Sequence, residues 1–287
     1  MFNFNIKLRP EEKAAFALRE LYEARGYAFY KMGRFEEYDF YADKKDFLTS
    51  RAVLTFTDIN GKLMALRPDV TLSIIKRTRD IPGHVQKFYY DEKIYRVPRN
   101  ANTFREITQT GIECIGDLQD GDICEVLELA VQSLHAIAGD RRCVLDVSHA
   151  GLIAELVPDG TDRQEILKCI AAKNTHGLRD LGAPEKLLRL VELNGNIDDA
   201  LPEFDAKTAG ILERLNSHDD IRIDFSALSS LNYYNGLVFR GFIEGIPESI
   251  LSGGQYDSLM RMMGHKDSKA VGFAVYLDLI ERSGKND

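Results

Sequence analysis

Little in the sequence would tie this chain down by covalent or metal chemistry. Its four cysteines, Cys114, Cys124, Cys143 and Cys169, are scattered and form no CxxC pair. Neither a zinc ribbon nor a redox motif is indicated, and no metal or cofactor is expected. No run of 18 apolar residues occurs, so no transmembrane helix is expected. The scattered cysteines fit a reducing cytoplasm, and the first residues carry no long apolar stretch, which argues against a signal peptide. The glycine-rich phosphate signatures GxxxxGK[ST] and GxGxxG are absent, so P-loop and Rossmann readings lack support. Positive charge is scarce as well. The net charge is -8 with a pI of about 5.4, and the densest basic stretch is Lys76, Arg77 and Arg79, with Arg96 and Arg99 further on. Phosphate contacts supply most nucleic-acid affinity, so that stretch is thin for a polyanion partner.

What is present is enough apolar material for a core. The 287 residues are 44% hydrophobic, which suits one large domain or one domain with a smaller companion. Pro10, Glu11 and Glu12 open a helix that Gly26 closes. Two β-like runs, 53–57 and 63–66, flank Asn60-Gly61, a hairpin signal. A helix is expected over 70–77, strands over 84–96 and 106–116, a helix over 120–138 and a strand over 142–147. Between 148 and 216 the pattern changes to short helices. Thr161 with Gln164 reads there as a capping box, and Pro184 opens a run that Gly195 closes. Strands resume over 221–225, 234–241, 250–252 and 270–275, the last leading into a short helix. Strands grouped before and after a helical stretch indicate an α+β fold with a mixed or antiparallel sheet.

The stretch 105–113 carries the densest polar pattern. Side chains alternate along a strand, so Arg105, Ile107, Gln109, Gly111 and Glu113 share one face. That face is either a solvated strand with ordinary charges or the floor of a polar cleft able to grip a zwitterion. Asp69 stands just before the helix at 70–77. It reads as an N-cap, or as a carboxylate meeting a ligand ammonium. Tyr233 and Tyr234 are adjacent; on a strand one ring enters the core and the other can offer its phenol to a ring nitrogen. Gly253 and Gly254, ahead of Tyr256, let another group approach the backbone closely, or mark a bulge and a turn.

Taken together and in order, the segments 66–71, 95–96, 105–113, 231–236, 253–257 and 272–275 resemble the class II aminoacyl-tRNA synthetase core, and within it the histidyl branch. The resemblance runs from about residue 5 to 280; through 148–216 it matches the family's insertion only in position. It implies an antiparallel sheet flanked by helices and a homodimer. The synthetase-like core would be 1–147 and 217–287, with 148–216 a mainly helical insertion. Carried over residue by residue, Asp69 stands where the family has the acid that meets the α-ammonium, shortened from its usual glutamate. Thr71 and Gln109 match two more amino-group contacts, and Arg96 matches the motif-2 arginine. Glu113 and Tyr234 match the groups that read the imidazole, and Tyr256 the tyrosine lining the ring pocket. A carboxylate accepts one imidazole N–H while a phenol serves the other nitrogen. Such a site rejects apolar isosteres, which would leave its buried polar groups unpaired.

The departures from the family fall on catalysis. Ser229 stands where an arginine steadies the carboxylate and α-phosphate, and Leu279 where an arginine meets the ATP γ-phosphate. The motif-2 loop after Arg96 is shorter by a residue, with Pro98 near the expected glutamate and Thr103 near an expected arginine. Gly33 stands at the motif-1 proline. Fixed cations where phosphate charge develops are the chief electrostatic catalyst of adenylation, so their loss counts against an enzyme. The sequence ends soon after the core, so no anticodon-binding domain is expected.

A synthetase paralogue stripped in this way resembles the regulatory-subunit family of the short-form ATP phosphoribosyltransferase, which opens histidine biosynthesis. The strings 67–72 and 105–109 are closer to that family than to true synthetases. The resemblance implies a chain without catalytic residues of its own. Its partners would be a short catalytic subunit, a second copy of itself within a hetero-octamer, and histidine as the feedback ligand. Two other readings stay open: a minimal histidyl-tRNA synthetase-like enzyme, and a scaffold with a vestigial pocket.

Overall fold

The computed structural model describes residues 7–44, 48, 52–97, 102–216, 218–228 and 233–283. In chain order, α1 (Pro10–Ala24) leads to β1 (Ala28–Phe29), β2 (Phe35–Glu37), α2 (Asp39–Ala42), β3 (Thr55–Thr57), β4 (Leu63–Leu66) and α3 (Val70–Ile75). The long strands β5 (Val85–Arg96) and β6 (Arg105–Gly116) precede α4 (Asp120–Ala138) and β7 (Cys143–His149). The helices α5 (Ala150–Leu156), α6 (Arg163–Ala171), α7 (Thr175–Asp180) and α8 (Glu185–Glu192) follow. After them come β8 (Asn194–Gly195), α9 (Ile197–Ala200), α10 (Ala206–Leu215) and β9 (Ile221–Asp224). The final elements are β10 (Leu237–Ile243), β11 (Leu251–Gln255), α11 (Asp257–Met262), β12 (Lys269–Tyr276) and α12 (Leu277–Ser283).

Local chemistry explains the boundaries. Pro10 occupies the first turn of α1, and Glu12 reaches back to the Arg9 amide at 2.8 Å. Ala14, Leu18 and Tyr22 form its buried stripe, and Gly26 leaves the helix with φ +80°. In the hairpin between β3 and β4, the Asp58 carboxylate accepts the Asn60 and Lys62 amides at 2.8 Å each, and Gly61 takes φ +79°. The result is a longer loop than the two-residue turn that Asn-Gly most favours. Two expectations change. The N-cap of α6 is Asp162, whose side chain accepts the Gln164 amide at 2.8 Å, not Thr161. An aspartate directly before the first turn is at least as good an N-cap and lies one residue nearer. Gly195 does not close α8, which ends at Glu192, but pairs with Ile223 in a short edge strand.

Nine strands form one sheet in the order β1-β5-β6-β12-β11-β10-β7-β9-β8. From β5 to β7 it is antiparallel, the pairs β1–β5 and β7–β9 are parallel, and β8 joins β9 antiparallel, so the sheet is mixed as expected. A separate three-stranded sheet runs β2-β4-β3. Helices α1 and α4 pack on one face of the large sheet, in a core that continues through Ile153, Ile166, Leu187 and Leu212 of the helical segment. Tyr22 and Ser133 join α1 to α4 by a buried hydrogen bond of 3.0 Å. The opposite face is covered by α2, α3, α11 and the small sheet, through Tyr41, Leu72, Ile74, Ile75, Leu259 and Met260. Each such fully buried Leu or Ile contributes about 1.5–3 kcal/mol relative to exposure. Among the described residues, no helix is long and apolar enough to cross a membrane.

Candidate functional site

The second face of the large sheet carries the site. β5 and β6 pair over twelve residues with Tyr90 opposite Gly111 and Phe88 opposite Glu113. β12 then sets Gly272 opposite Glu113 and Tyr276 opposite Gln109, and β11 sets Gly254 opposite Gly272. Directly paired residues share a face, so Gln109, Gly111, Glu113, Gly272 and Gly254 form one floor. Two of its residues lack a side chain by necessity. A β-carbon on Gly272 would stand 2.8 Å from the Glu113 carboxyl carbon, and nearer still to Glu113 Oε2 and the Ile112 carbonyl. One on Gly254 would stand 2.8 Å from the Tyr234 ring.

Glu113 is the centre of this floor. It is 2% exposed. Thr71 Oγ1 donates to its Oε1 at 2.6 Å, and the Tyr256 hydroxyl donates to its Oε2. Burial pushes its carboxyl up to about 8; the two hydroxyl donors pull against this and nearby Asp69 adds to it. Burial therefore favours the protonated form of Glu113. Burial also raises the Tyr233, Tyr256 and Tyr90 phenols well above their ordinary range; the Glu113 carboxyl adds to this at all three, and Asp69 adds to it at Tyr233 and Tyr90.

Asp69 is the N-cap of α3, its Oδ1 accepting the Leu72 amide at 2.9 Å. The capping reading is therefore correct. The same carboxyl also lies within electrostatic reach of Glu113, Tyr233, Tyr234 and Tyr90, so capping places it on the rim of the site rather than away from it. Burial raises its pKa, against the Leu72 amide and the Arg96 charge. Arg96, at the end of β5, sits over the Tyr276 ring at 5.9 Å. Gln109 is 5% exposed, and its side chain makes no hydrogen bond among the described residues. Asp69, Thr71, Arg96, Gln109, Glu113, Tyr234 and Tyr256 thus converge on one side of the sheet.

The tyrosine pair corrects the alternation expected of a strand. Residues 233–236 form a turn, and β10 begins only at Leu237. The Gln255 side-chain oxygen accepts the Leu237 amide at 2.8 Å, and the Gln255 carbonyl accepts the Asn235 amide at 3.0 Å. Held in this way, Tyr233 and Tyr234 do not diverge. Their rings meet edge-on at 4.8 Å and both pack against the core on the site side. Tyr233, 6.0 Å from the Tyr256 ring and within reach of Thr71, is a site residue that strand reasoning passed over.

Two more residues escaped the sequence. Tyr90 lies across Gly111, and the glycine was the available sign that a bulky group crosses there. Arg67, wholly buried, donates to the Gly33 carbonyl at 2.7 Å, to Glu92 Oε2 at 2.7 Å and to the Lys93 carbonyl at 3.0 Å. It locks the entry to α3 onto β5. On the phosphate side, Leu279 is buried in the apolar core beneath α12, and Thr103 is exposed. Pro98 and residues 229–232, including Ser229, lie outside the described residues.

Comparison with known proteins gives the family and the fold. A family model described as histidyl-tRNA synthetase matches residues 6–280. The ATP phosphoribosyltransferase regulatory subunit of Caldanaerobacter subterraneus is 28% identical, over 96% of this chain and 78% of the relative. Among solved structures, an ATP phosphoribosyltransferase regulatory subunit/histidyl-tRNA synthetase from Bacillus halodurans has a TM-score of 0.77 at 23% identity, covering 99% of this chain and 84% of that one. The ATP phosphoribosyl transferase (HisG:HisZ) complex from Thermotoga maritima contains a chain with a TM-score of 0.72 at 18% identity, covering 93% of this chain and 97% of that one. The two structural likenesses establish the fold.

Proposed function

The chain belongs to the histidyl-tRNA synthetase family, and from that premise we propose that it is a non-catalytic regulatory subunit of ATP phosphoribosyltransferase. Its partner is the catalytic subunit of the short form of that enzyme, at the first step of histidine biosynthesis in the cytoplasm. Histidine is the ligand, and the chain pairs with a second copy of itself within a hetero-octamer. Residues 148–216 are a helical insertion into the synthetase-like core.

The observation that carries this reading is the asymmetry of the site. Its floor keeps a buried acid, Glu113, set by two hydroxyls. The position for the γ-phosphate arginine is instead Leu279, packed into apolar core. Glu113 meets one imidazole nitrogen, and a phenol from Tyr234 or Tyr233 meets the other. Asp69 and Gln109 face the amino group, and the Thr71 hydroxyl, while donating to Glu113, keeps lone pairs for the same group. Feedback then requires a coupling free energy of about 1–3 kcal/mol between this site and the active state of the catalytic subunit.

Calorimetry with histidine tests the ligand. One site per chain is expected, lost in Glu113→Ala; absence of histidine heat in the unaltered chain overturns the sensing role. Histidine-dependent pyrophosphate exchange is expected to be absent, and finding it would make the chain an enzyme.

A further inference from the structure

Away from Glu113, three side chains able to ligate a metal meet where α4 returns to the sheet. His135 lies in the last turn of α4, Cys143 opens β7 and Asp220 immediately precedes β9. His135 Nε2 is 2.8 Å from Asp220 Oδ2, and His135 Nδ1 is 3.9 Å from Cys143 Sγ. One donor atom from each residue lies within 4.8 Å of the other two. The scaffold sets this spacing. β7 and β9 pair in parallel with Leu145 opposite Ile221, and the Leu145 amide donates to the Asp220 carbonyl at 2.7 Å. Buried Leu134 and Ala138 fix the end of α4 beside them. Rigid elements thus hold the three backbone positions close together.

An aspartate–histidine pair alone would be an ordinary surface ion pair. Cys143 packs at the edge of the core, yet its one hydrogen-bond contact among the described residues is the other nitrogen of the same ring. We propose that His135, Cys143 and Asp220 form a binding site for a divalent transition-metal ion of the zinc type. A thiolate, an imidazole and a carboxylate together suit Zn²⁺ or Co²⁺, whereas Mg²⁺ and Ca²⁺ take oxygen ligands. The thiolate and the carboxylate also balance the charge of a dication. Three protein ligands leave a fourth tetrahedral position for water. Ligand atoms around tetrahedral zinc stand roughly 3.3–3.8 Å apart, given its bond lengths. In the structure the His135 ring presents Nε2 to Asp220 and Nδ1 to Cys143, so binding a metal requires the ring to turn one nitrogen toward both partners; side chains 55% and 35% exposed at His135 and Asp220 leave room for that turn. Of the neighbouring cations, Arg142 is engaged by Glu244 at 3.1 Å, and Arg141 donates to the Ala138 carbonyl at 3.0 Å.

The test is a titration of the tag-free, reduced full chain with Co²⁺, followed by competition with Zn²⁺. One cobalt per chain is expected, with thiolate-to-cobalt charge-transfer absorption in the near ultraviolet that zinc abolishes. Cys143→Ser removes that band, and Cys143→Ser and His135→Ala each weaken binding by at least about tenfold. Cys169→Ser leaves both readouts unchanged. Equal thermal midpoints of the metal-free variants and the parent chain show that the fold is intact. The proposal is overturned by the lack of a stoichiometric cobalt site, or by a band that persists in Cys143→Ser. Histidine binding is unaffected in either outcome, because neither variant touches the surroundings of Glu113.

Discussion

Replacing Gly272 with alanine tests the construction of the floor. The added methyl would enter space already held by the Glu113 carboxyl and the Ile112 carbonyl oxygen. The carbonyl belongs to β6, paired with β12 over eight residues, and cannot retreat without parting the two strands. Glu113 must then swing out, losing its Thr71 and Tyr256 donors and leaving the buried Tyr256 hydroxyl without its acceptor. Overpacking of this kind costs about 1–3 kcal/mol, and each net hydrogen bond lost costs about 1 kcal/mol. Gly272→Ala should therefore destabilise the chain by about 3–5 kcal/mol. Urea unfolding measures this as a lower midpoint at unchanged slope. Histidine titration of the folded variant should show binding lost. A midpoint change worth less than about 0.5 kcal/mol, the scale of an ordinary surface substitution, would refute the packing argument.

Gly210→Ala is the contrasting case. This glycine lies inside α10 with nothing near a new β-carbon, so alanine should stabilise by about 0.5–1 kcal/mol in the same urea assay. Arg67→Met should cost about 3–5 kcal/mol, because it strands Glu92, itself 11% exposed, and the Gly33 carbonyl; a loss under 1 kcal/mol would show that the pair is dispensable. Glu113 should give stability a distinctive pH dependence. Its folded value of about 8 exceeds the ordinary 4.5, so the folded state holds the proton more tightly and stability falls as pH rises from 4.5 to 8. The contribution approaches roughly 1.4 kcal/mol per pH unit in that window. Unfolding midpoints at pH 5, 7 and 9 should flatten in Glu113→Gln, and parallel curves for parent and variant would count against the assignment.

The long strands and α4 were legible because their patterns are long and local. Twelve alternating residues in β6 fixed which side chains share a face, and the helical period of 120–138 gave α4 its bounds. Asp69 showed why a single role can mislead: the N-cap position and the rim of the site are the same place. The tyrosine pair went astray because period-two reasoning assumes a strand. Here the Gln255 side chain, eighteen residues from Leu237, turned 233–236 into a turn instead. In the sequence Arg67 stands out only as part of the string 67–72. Its partners Gly33 and Glu92 lie 34 and 25 residues away, and no local pattern reveals a buried guanidinium. The meeting of His135 with Asp220 spans 85 residues and depends wholly on the parallel pairing of β7 with β9.

The setting of Glu113 has a consequence for how occupancy is registered. Among the described residues Glu113 is met by two hydroxyls and by no cation, so burial favours a proton on it in place of a counter-ion. In the proposed complex an imidazole, whose ordinary value of about 6.5 lies below the value of about 8 at Glu113, can take that proton where the pairing of imidazolium with carboxylate offsets the difference. Nothing then needs to cross from bulk water, and the total charge of the assembly does not change. What changes is its location: a carboxylate appears under the sheet, bonded to the hydroxyl of Tyr256. Because Tyr256 is the residue from which α11 departs, the corner between β11 and α11 is the first part of the backbone to feel the new charge.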